Sequence, residues 1–369
     1  TGVQTCALPI SVVLACAILT YGGVSLFVVA FSVYPIAVSL FRAADLPKRL
    51  IPAAIGLGSF TFTMTALPGT PAIQNAIPMP FFGTNTFAAP GLGIIAGLFM
   101  FAFGQFWLNR RVAQARSRGE GYGNHEDALA AGADTGMPSF WLALLPIVVV
   151  IALNYVATSY VIPAMDTSYL ATAKFKSTPL SAVLGIWAII LAMLVAIVLV
   201  ALLNRTRITN LLDTFNKGTM GSLLPMANVA SEVAYGAVIA SLAAFAIVRE
   251  GLKSVASDPV TSLFIVVTVL AGMTGSASGG MSLALGAMGE YYAHAAQAAG
   301  INPEIMHRIA ALGSAAMDIL PHNGAVITLL AICSLTHRES YLDLFVVGSL
   351  SALMSSVLVL VLNAVFGTF

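Results

Sequence analysis

Apolar runs of about twenty residues follow one another along most of this chain, and they fix its solvent before anything else is known. Two examples are LSAVLGIWAIILAMLVAIVLVALLN (180–204) and YLDLFVVGSLSALMSSVLVLVLNAVF (341–366). Each is long enough to cross a hydrocarbon core of ~30 Å as a helix. Only 8% of the 369 residues are charged and 59% are hydrophobic, whereas soluble domains carry about 25% charged residues. A transmembrane barrel would show short alternating strands, which are absent from the pattern. The expected class is an all-α polytopic membrane protein, multi-pass in the cell membrane (the inner membrane in a Gram-negative source). With a net charge of +1, no nucleic-acid partner is expected, and lipid is the expected surrounding. Three cysteines, Cys6, Cys16 and Cys333, form neither a disulfide nor a metal-binding pattern.

Apolar segments fall near 11–41, 50–67, 84–108, 139–162, 179–203, 219–248, 259–289, 309–335 and 343–366. Residues 1–10, TGVQTCALPI, read as the translation of a sequencing adapter. They are set aside as an artefact, and further spans are expected upstream of this sequence. The stretch 109–138 is rich in Arg, Gly and acids and reads as a polar loop between two parts. Its four arginines, Arg110, Arg111, Arg116 and Arg118, point to the cytoplasmic side, and Arg42, Lys48 and Arg49 compete for the same side.

The two parts share landmarks in the same order. TYGGVSLFVVAFSVYPIAVSLFRAADLP (20–47) resembles AYGAVIASLAAFAIVREGLKSVASDP (234–259). An interrupted apolar run follows in each, FTMTALPGTPAIQN (62–75) and AGMTGSASGGMSLA (271–284), and then a second interruption, NTFAAPGLGII (85–95) and DILPHNGAVI (318–327). The expectation is a first repeat over 11–108 with a re-entrant hairpin near 50–80. A second repeat is expected within 139–369, with a hairpin near 259–290. Paired Gly/Pro interruptions at corresponding places point to the binding site of a secondary transporter.

The interruptions have a chemical use. Within lipid every backbone N–H and C=O needs a partner, so a broken helix persists only where protein or a wet cavity supplies one. The N-terminus of a half-helix offers free N–H groups and a partial positive charge, a seat for a carboxylate. Gly275, Gly279 and Gly280 permit a sharp turn and close approach, and Thr274, Ser276 and Ser278 add hydroxyls. In the first part Pro68, Gly69 and Pro71 make the turn, while Thr65, Thr70, Gln74 and Asn75 supply polar groups. Small residues also let helices pack closely without any ligand.

Ionisable groups inside apolar runs cost about 2.5–3.5 kcal/mol on insertion scales and are functional candidates by default. Glu232, Asp318 and His322 are the candidates for carrying a coupling proton, with Asn323 adding polar capacity at the second interruption. His294, His307 and His337 read as solvated. No arginine is read as lying deep in a span, so helix ends and hydroxyls are expected to meet the anion. That favours a single carboxylate. No metal-ligand spacing or phosphate-binding loop is present, and no cofactor is expected. GSASG (275–279) lacks the glycine spacing of a nucleophile elbow, so an intramembrane serine protease using His322 stays a distant alternative.

Four stretches carry a specific resemblance: FTFTMTALPGTPAIQNAIPMPFFGTNTFAAPGLGIIAG, GMTGSASGGMSLAL, LPHNGAVITLLAIC and ITLLAICSLTHRESY. They resemble the gluconate permease (GntP) family of bacterial proton symporters, in particular the branch for gluconate or short hydroxy acids such as 3-hydroxybutyrate. The resemblance runs from about residue 11 to the end. It implies the ion transporter superfamily architecture of inverted repeats, a scaffold domain and a transport domain with two hairpins. By position, Thr65, Pro68, Gly69, Thr70 and Asn75 match the first hairpin, and Thr274, Gly275, Ser276 and Ser278 match the second. It further implies a non-enzymatic symporter importing gluconate or a similar small hydroxy monocarboxylate with protons. Such scaffolds dimerise, so a homodimer is among the expectations. The rival within transport is a citrate-type organic anion carrier coupled to Na+.

Overall fold

The computed structural model describes residues 2–24, 26–125, 140–175, 178–208, 210–243, 247, 250–251 and 256–369. Every regular element among them is helical. Among the described residues, four helices are long and apolar enough to cross a membrane: Pro90–Ser117, Leu144–Val161, Val183–Leu203 and His337–Phe366. Shorter apolar helices accompany them, among them Pro9–Tyr21, Val28–Ala43 and Pro259–Thr274. The chain is therefore an all-helical, multi-pass membrane protein. Its outer surface agrees with that. Leu98, Phe106, Leu194 and Val198 are all more than half exposed, a distribution suited to lipid and hazardous in water.

One apolar core joins helices Gly2–Tyr21, Leu26–Ala43, Ile51–Ser59, Pro90–Ser117, Pro259–Thr274, Ala277–Ala298, Pro303–Ala316 and the final helix. The pair Phe140–Val156 and Leu180–Leu203 packs around small cores of its own, built on Val150, Ala192 and Ala196 and on Ala157, Ile162 and Ala188. Small residues set the tightest approaches. A methyl on Gly58 would overlap the Val13 carbonyl oxygen, and one on Gly280 would overlap the Ala271 backbone. Without a solvent difference between helix surface and lipid, such close backbone contact is what holds spans together.

Two long helices run antiparallel. At ~1.5 Å per residue, Pro90–Ser117 and His337–Phe366 are each over about 40 Å long. At one end the Gly91 N–H donates to the Phe369 carbonyl at 3.0 Å. At the other lies an ion cluster. Asp343, 1% exposed, accepts from Arg49 Nη1 (2.9 Å), Arg111 Nε (2.6 Å) and Trp107 Nε1 (3.0 Å). Arg49 also forms a two-pronged bond with Glu120, Nε to Oε1 at 2.6 Å and Nη2 to Oε2 at 2.9 Å. That guanidinium holds the Glu120 carboxyl below the usual carboxylate range. Arg42 donates to the His125 carbonyl beside it. Both basic clusters of the sequence thus share one face of the molecule. Residues 109–117, read from composition as loop, continue the Pro90–Ser117 helix; 126–139 lie outside the described residues.

Candidate functional site

The apolar run after Lys48 becomes helix Ile51–Ser59, a kink at Thr61, and helix Phe62–Thr65. It then breaks. Pro68 and Pro71 cannot donate backbone hydrogen bonds, and Gly69 sits at φ +83°, a conformation L side chains rarely adopt. The chain resumes as helix Ile73–Ala76, then Met79–Phe82. What satisfies the broken backbone is a buried network. Tyr21 Oη donates to the Pro68 carbonyl at 2.6 Å, and Gly69 N–H donates to the Thr86 carbonyl at 2.9 Å. Asn154, from helix Phe140–Val156, donates to Thr86 Oγ1 at 3.0 Å. Thr65 and Thr70 are fully buried; the Thr65 hydroxyl donates back to the Thr61 carbonyl.

Asn75 is saturated by the protein. Its Nδ2 donates to the carbonyls of Thr70 (3.0 Å) and Thr86 (2.9 Å). Its Oδ1 faces His307 Nε2 at 3.0 Å and Arg308 Nη1 at 3.2 Å. That arrangement assigns the histidine tautomer. With Nδ2 committed as donor, Oδ1 is an acceptor, so His307 Nε2 carries a hydrogen. His307 Nδ1 then pairs with Thr84 Oγ1 at 2.6 Å.

Arg308 and His307 correct the sequence reading. Both lie on helix Pro303–Ala316 and both are 0% exposed, where an interior arginine was not expected and His307 was read as solvated. Arg308 donates to the Ala88 carbonyl from Nε (3.1 Å) and Nη2 (2.6 Å), and to the Thr65 carbonyl from Nη1 (3.0 Å). One guanidinium thus ties the start of the first break, at Thr65, and the later interruption at Ala88 to the second part of the chain. Glu304, one turn earlier, accepts from the Ala89 N–H at 2.9 Å.

The second break is built differently. Helix Pro259–Thr274 ends at Gly275, φ +63°, and helix Ala277–Ala298 begins at once. Ser276 caps it, its side chain accepting from the Gly279 N–H at 3.1 Å, with Ser278 Oγ 3.4 Å away. Thr274 Oγ1 donates to the Leu270 carbonyl. Helix Pro303–Ala316 ends beside this turn, and the chain runs irregularly to helix Gly324–Ile332. Within that irregular stretch Asp318 Oδ1 accepts the Ala277 N–H at 2.8 Å and Asn323 Nδ2 at 2.7 Å. Asn323 Oδ1 in turn caps Gly324–Ile332 by accepting from Ala325 and Val326. His322 is exposed and donates from Nε2 to the Gly272 carbonyl at 3.0 Å, which fixes that nitrogen as protonated.

The structure therefore gathers the expected residues into two groups. Thr65, Pro68, Gly69, Thr70 and Asn75 line the first break; Thr274, Gly275, Ser276, Ser278, Asp318, His322 and Asn323 line the second. Glu232 lies on helix Leu211–Ser241, but its side chain is outside the described residues. In each group the end of a helix pair rests on a break: Tyr21 on Pro68, and Gly275 on His322 and Asn323, where a Cβ would come within 2.7 Å of His322 Cδ2.

Comparison with known proteins bears on this arrangement. No protein-family model matches the chain. Over 352 residues it is 43% identical to the uncharacterized transporter YxjC of Bacillus subtilis strain 168, covering 92% of this chain and 75% of that protein. The chain belongs to the YxjC transporter family. Membership supplies transport as the activity and leaves the cargo to the site.

One prediction follows from the second turn alone. Gly275→Val places a branched side chain at φ +63° and against the His322 ring. Both the turn and the seating of Asp318 on Ala277 should be lost. Uptake by the full-length protein should fall below about a tenth of wild type, since a misplacement near 1 Å can cost that much or more, with surface yield largely kept. Normal uptake by this variant would make the turn a packing feature.

Proposed function

We propose that this transporter is a symporter that brings gluconate, or a similar small hydroxy monocarboxylate, into the cell with a proton. The observation that carries the reading is the seat of Asp318. A helix N-terminus attracts an anion through its free N–H groups and dipole. Here the chain places its own carboxylate on that helix end, next to the hydroxyls of Ser276 and Ser278. A substrate carboxylate seated beside it would bring two like charges within a few ångströms, and such a pair retains one proton between them. Carboxylate and proton then bind together or not at all. Asp318 is the proton carrier in this account. Asn323 positions it, and Ser276, Ser278 and the Gly275 turn receive the substrate.

Arg308 supplies the complementary positive charge. It sits behind the first break with its described bonds to neutral oxygens at Thr65, Asn75 and Ala88, while the Glu304 carboxylate one turn earlier bonds to the Ala89 N–H. Thr65, Pro68, Gly69 and Thr70 present the wall of the break, and Asn75 and His307 hold that wall in shape.

The contacts also suggest how the halves correspond. Because Arg49 and Glu120 meet on one face while Pro90–Ser117 returns to it, residues 50–89 finish on the face opposite to where they start. We read 48–82 as a single crossing interrupted at Pro68–Pro71. Its counterpart is 303–332, interrupted at 317–323. The helix pairs 11–43 and 259–298 become the hairpins whose tips touch those interruptions. This register differs from the one suggested by the Tyr-Gly landmarks, and it places the first tip at Tyr21–Gly23.

The test is uptake of labelled gluconate by vesicles carrying the full-length protein. Uptake should follow an inward proton gradient imposed without Na+ and collapse with a protonophore. Uptake that requires Na+ and ignores the protonophore would replace this reading with the Na+-coupled organic anion carrier.

A further inference from the structure

Five buried side-chain oxygens have no hydrogen-bond partner among the described residues: Thr20 Oγ1, Gln74 Oε1, Gln105 Oε1, Asn154 Oδ1 and Thr158 Oγ1. Gln105 stands apart, bonded to Asn109 through its nitrogen. Of the other four, Asn154 and Gln74 belong to the first break, while Thr20 and Thr158 lie on helices that lead to it. Gln74 is the second residue of the helix that leaves the break; Thr20 precedes Tyr21 in sequence, and Thr158 is one turn beyond Asn154. Asn154 is fixed most firmly. Its Nδ2 is held 3.0 Å from Thr86 Oγ1 and 3.5 Å from the Gly69 carbonyl, which places Oδ1 at the break as well. All four residues are at most 5% exposed. Native interiors rarely leave such atoms unmet, and the two at the break mark a place where something else supplies the bonds.

The chemistry of the set selects its ligand. Gln74 Oε1 and Asn154 Oδ1 accept only, so they require donors; the two threonine hydroxyls donate or accept. Neutral oxygens of this kind can also hold a sodium ion. Against that, the Arg308 guanidinium bonds to the Thr65 carbonyl and the Asn75 amide oxygen on either side of the same break, closer to it than Glu304, which turns to the Ala89 N–H. A fixed positive charge in a low-dielectric interior repels a cation and favours an anion. A ligand that is anionic overall and rich in O–H donors meets both conditions.

Resting on the symporter reading, we infer that the first break is where hydroxyl groups on the carried acid are read, with Asn154 and Gln74 as the acceptors that determine specificity. The carboxylate is received at the second break. The first break then separates a hydroxylated chain from a bare one, because a deoxy analogue leaves buried acceptors unpaired.

The experiment measures gluconate uptake by the full-length protein in liposomes, and inhibition of it by hexanoate, which has the same six-carbon length and no hydroxyls. Wild type should favour gluconate by about a hundred-fold or more. Asn154→Leu and Gln74→Met, tested separately, should each raise the gluconate KM about ten- to a hundred-fold while the hexanoate inhibition constant stays level or falls. Monodispersity on size exclusion shows which variants are folded, and Asn154→Ser serves where Asn154→Leu is not. An unchanged gluconate-to-hexanoate ratio in folded variants overturns the inference. So does a wild-type protein that carries both acids alike, which leaves the symporter reading standing; a protein that moves no carboxylate ends both.

Discussion

Arg308→Gln should abolish carboxylate uptake, and Arg308→Lys should restore little of it. The side chain is fully buried and serves the carbonyls of Thr65 and Ala88 and the Asn75 amide oxygen at once. Glutamine offers two N–H groups at the end of a shorter stem. At least one of these oxygens is left unmet, at about 1–3 kcal/mol each, against a total stability of about 5–15 kcal/mol for a typical domain. Lysine keeps the charge but is a point donor, without the planar fork that reaches opposite sides of the break. Uptake per folded molecule should fall at least about a hundred-fold in Arg308→Gln, through loss of both the wall of the site and its positive potential. The check is uptake normalised to monodisperse protein. If Arg308→Gln transports at wild-type rates, the guanidinium is a dispensable brace and the electrostatic part of the account fails.

Gly280→Ala should be the most damaging single-methyl change in the second helix pair. The added carbon would overlap the Cα and nitrogen of Ala271 and the carbonyl carbon of Leu270. These are backbone atoms, so no rotamer change relieves the clash, and helices Pro259–Thr274 and Ala277–Ala298 must separate. Overpacking of this kind costs typically about 1–3 kcal/mol and more where backbone must move. Folded yield and thermal stability should both drop sharply. Gly286 on the same helix provides the control: nothing among the described residues lies within 4 Å of a methyl there, so Gly286→Ala should match wild type. Equal stability of the two variants would contradict the packing described for this pair.

The helices themselves were legible because lipid demands them: an uninterrupted apolar run has one stable form in hydrocarbon. The turns at Pro68–Pro71 and Gly275 were legible for the converse reason, since Pro and Gly change local backbone geometry whatever surrounds them. Arg308 was missed because its burial comes from partners some 220 residues away in sequence, which no local window records. A local signal existed. Asn302 followed by Pro303 is a helix start, and the Asn302 side chain does cap the helix. Starting the helix there, rather than at the first apolar residue, places His307 and Arg308 in its second turn. Asn75 was legible as polar but not as saturated, because composition cannot tell a residue that meets a ligand from one that holds the wall. Asn154 carried no mark at all, being a lone amide in an apolar run.

The central claim is that substrate and proton share one helix end through Asp318, and proton movement on substrate addition tests it most directly. Full-length protein is placed in lightly buffered liposomes with no ion gradient, and external pH is followed as gluconate is added. The account predicts alkalinisation matched to uptake at about one proton per gluconate, as expected for two carboxylates sharing a single proton. Asp318→Asn should take up gluconate, if at all, without moving protons. Wild-type uptake with no change in external pH, or an unaltered proton signal in Asp318→Asn, would contradict it.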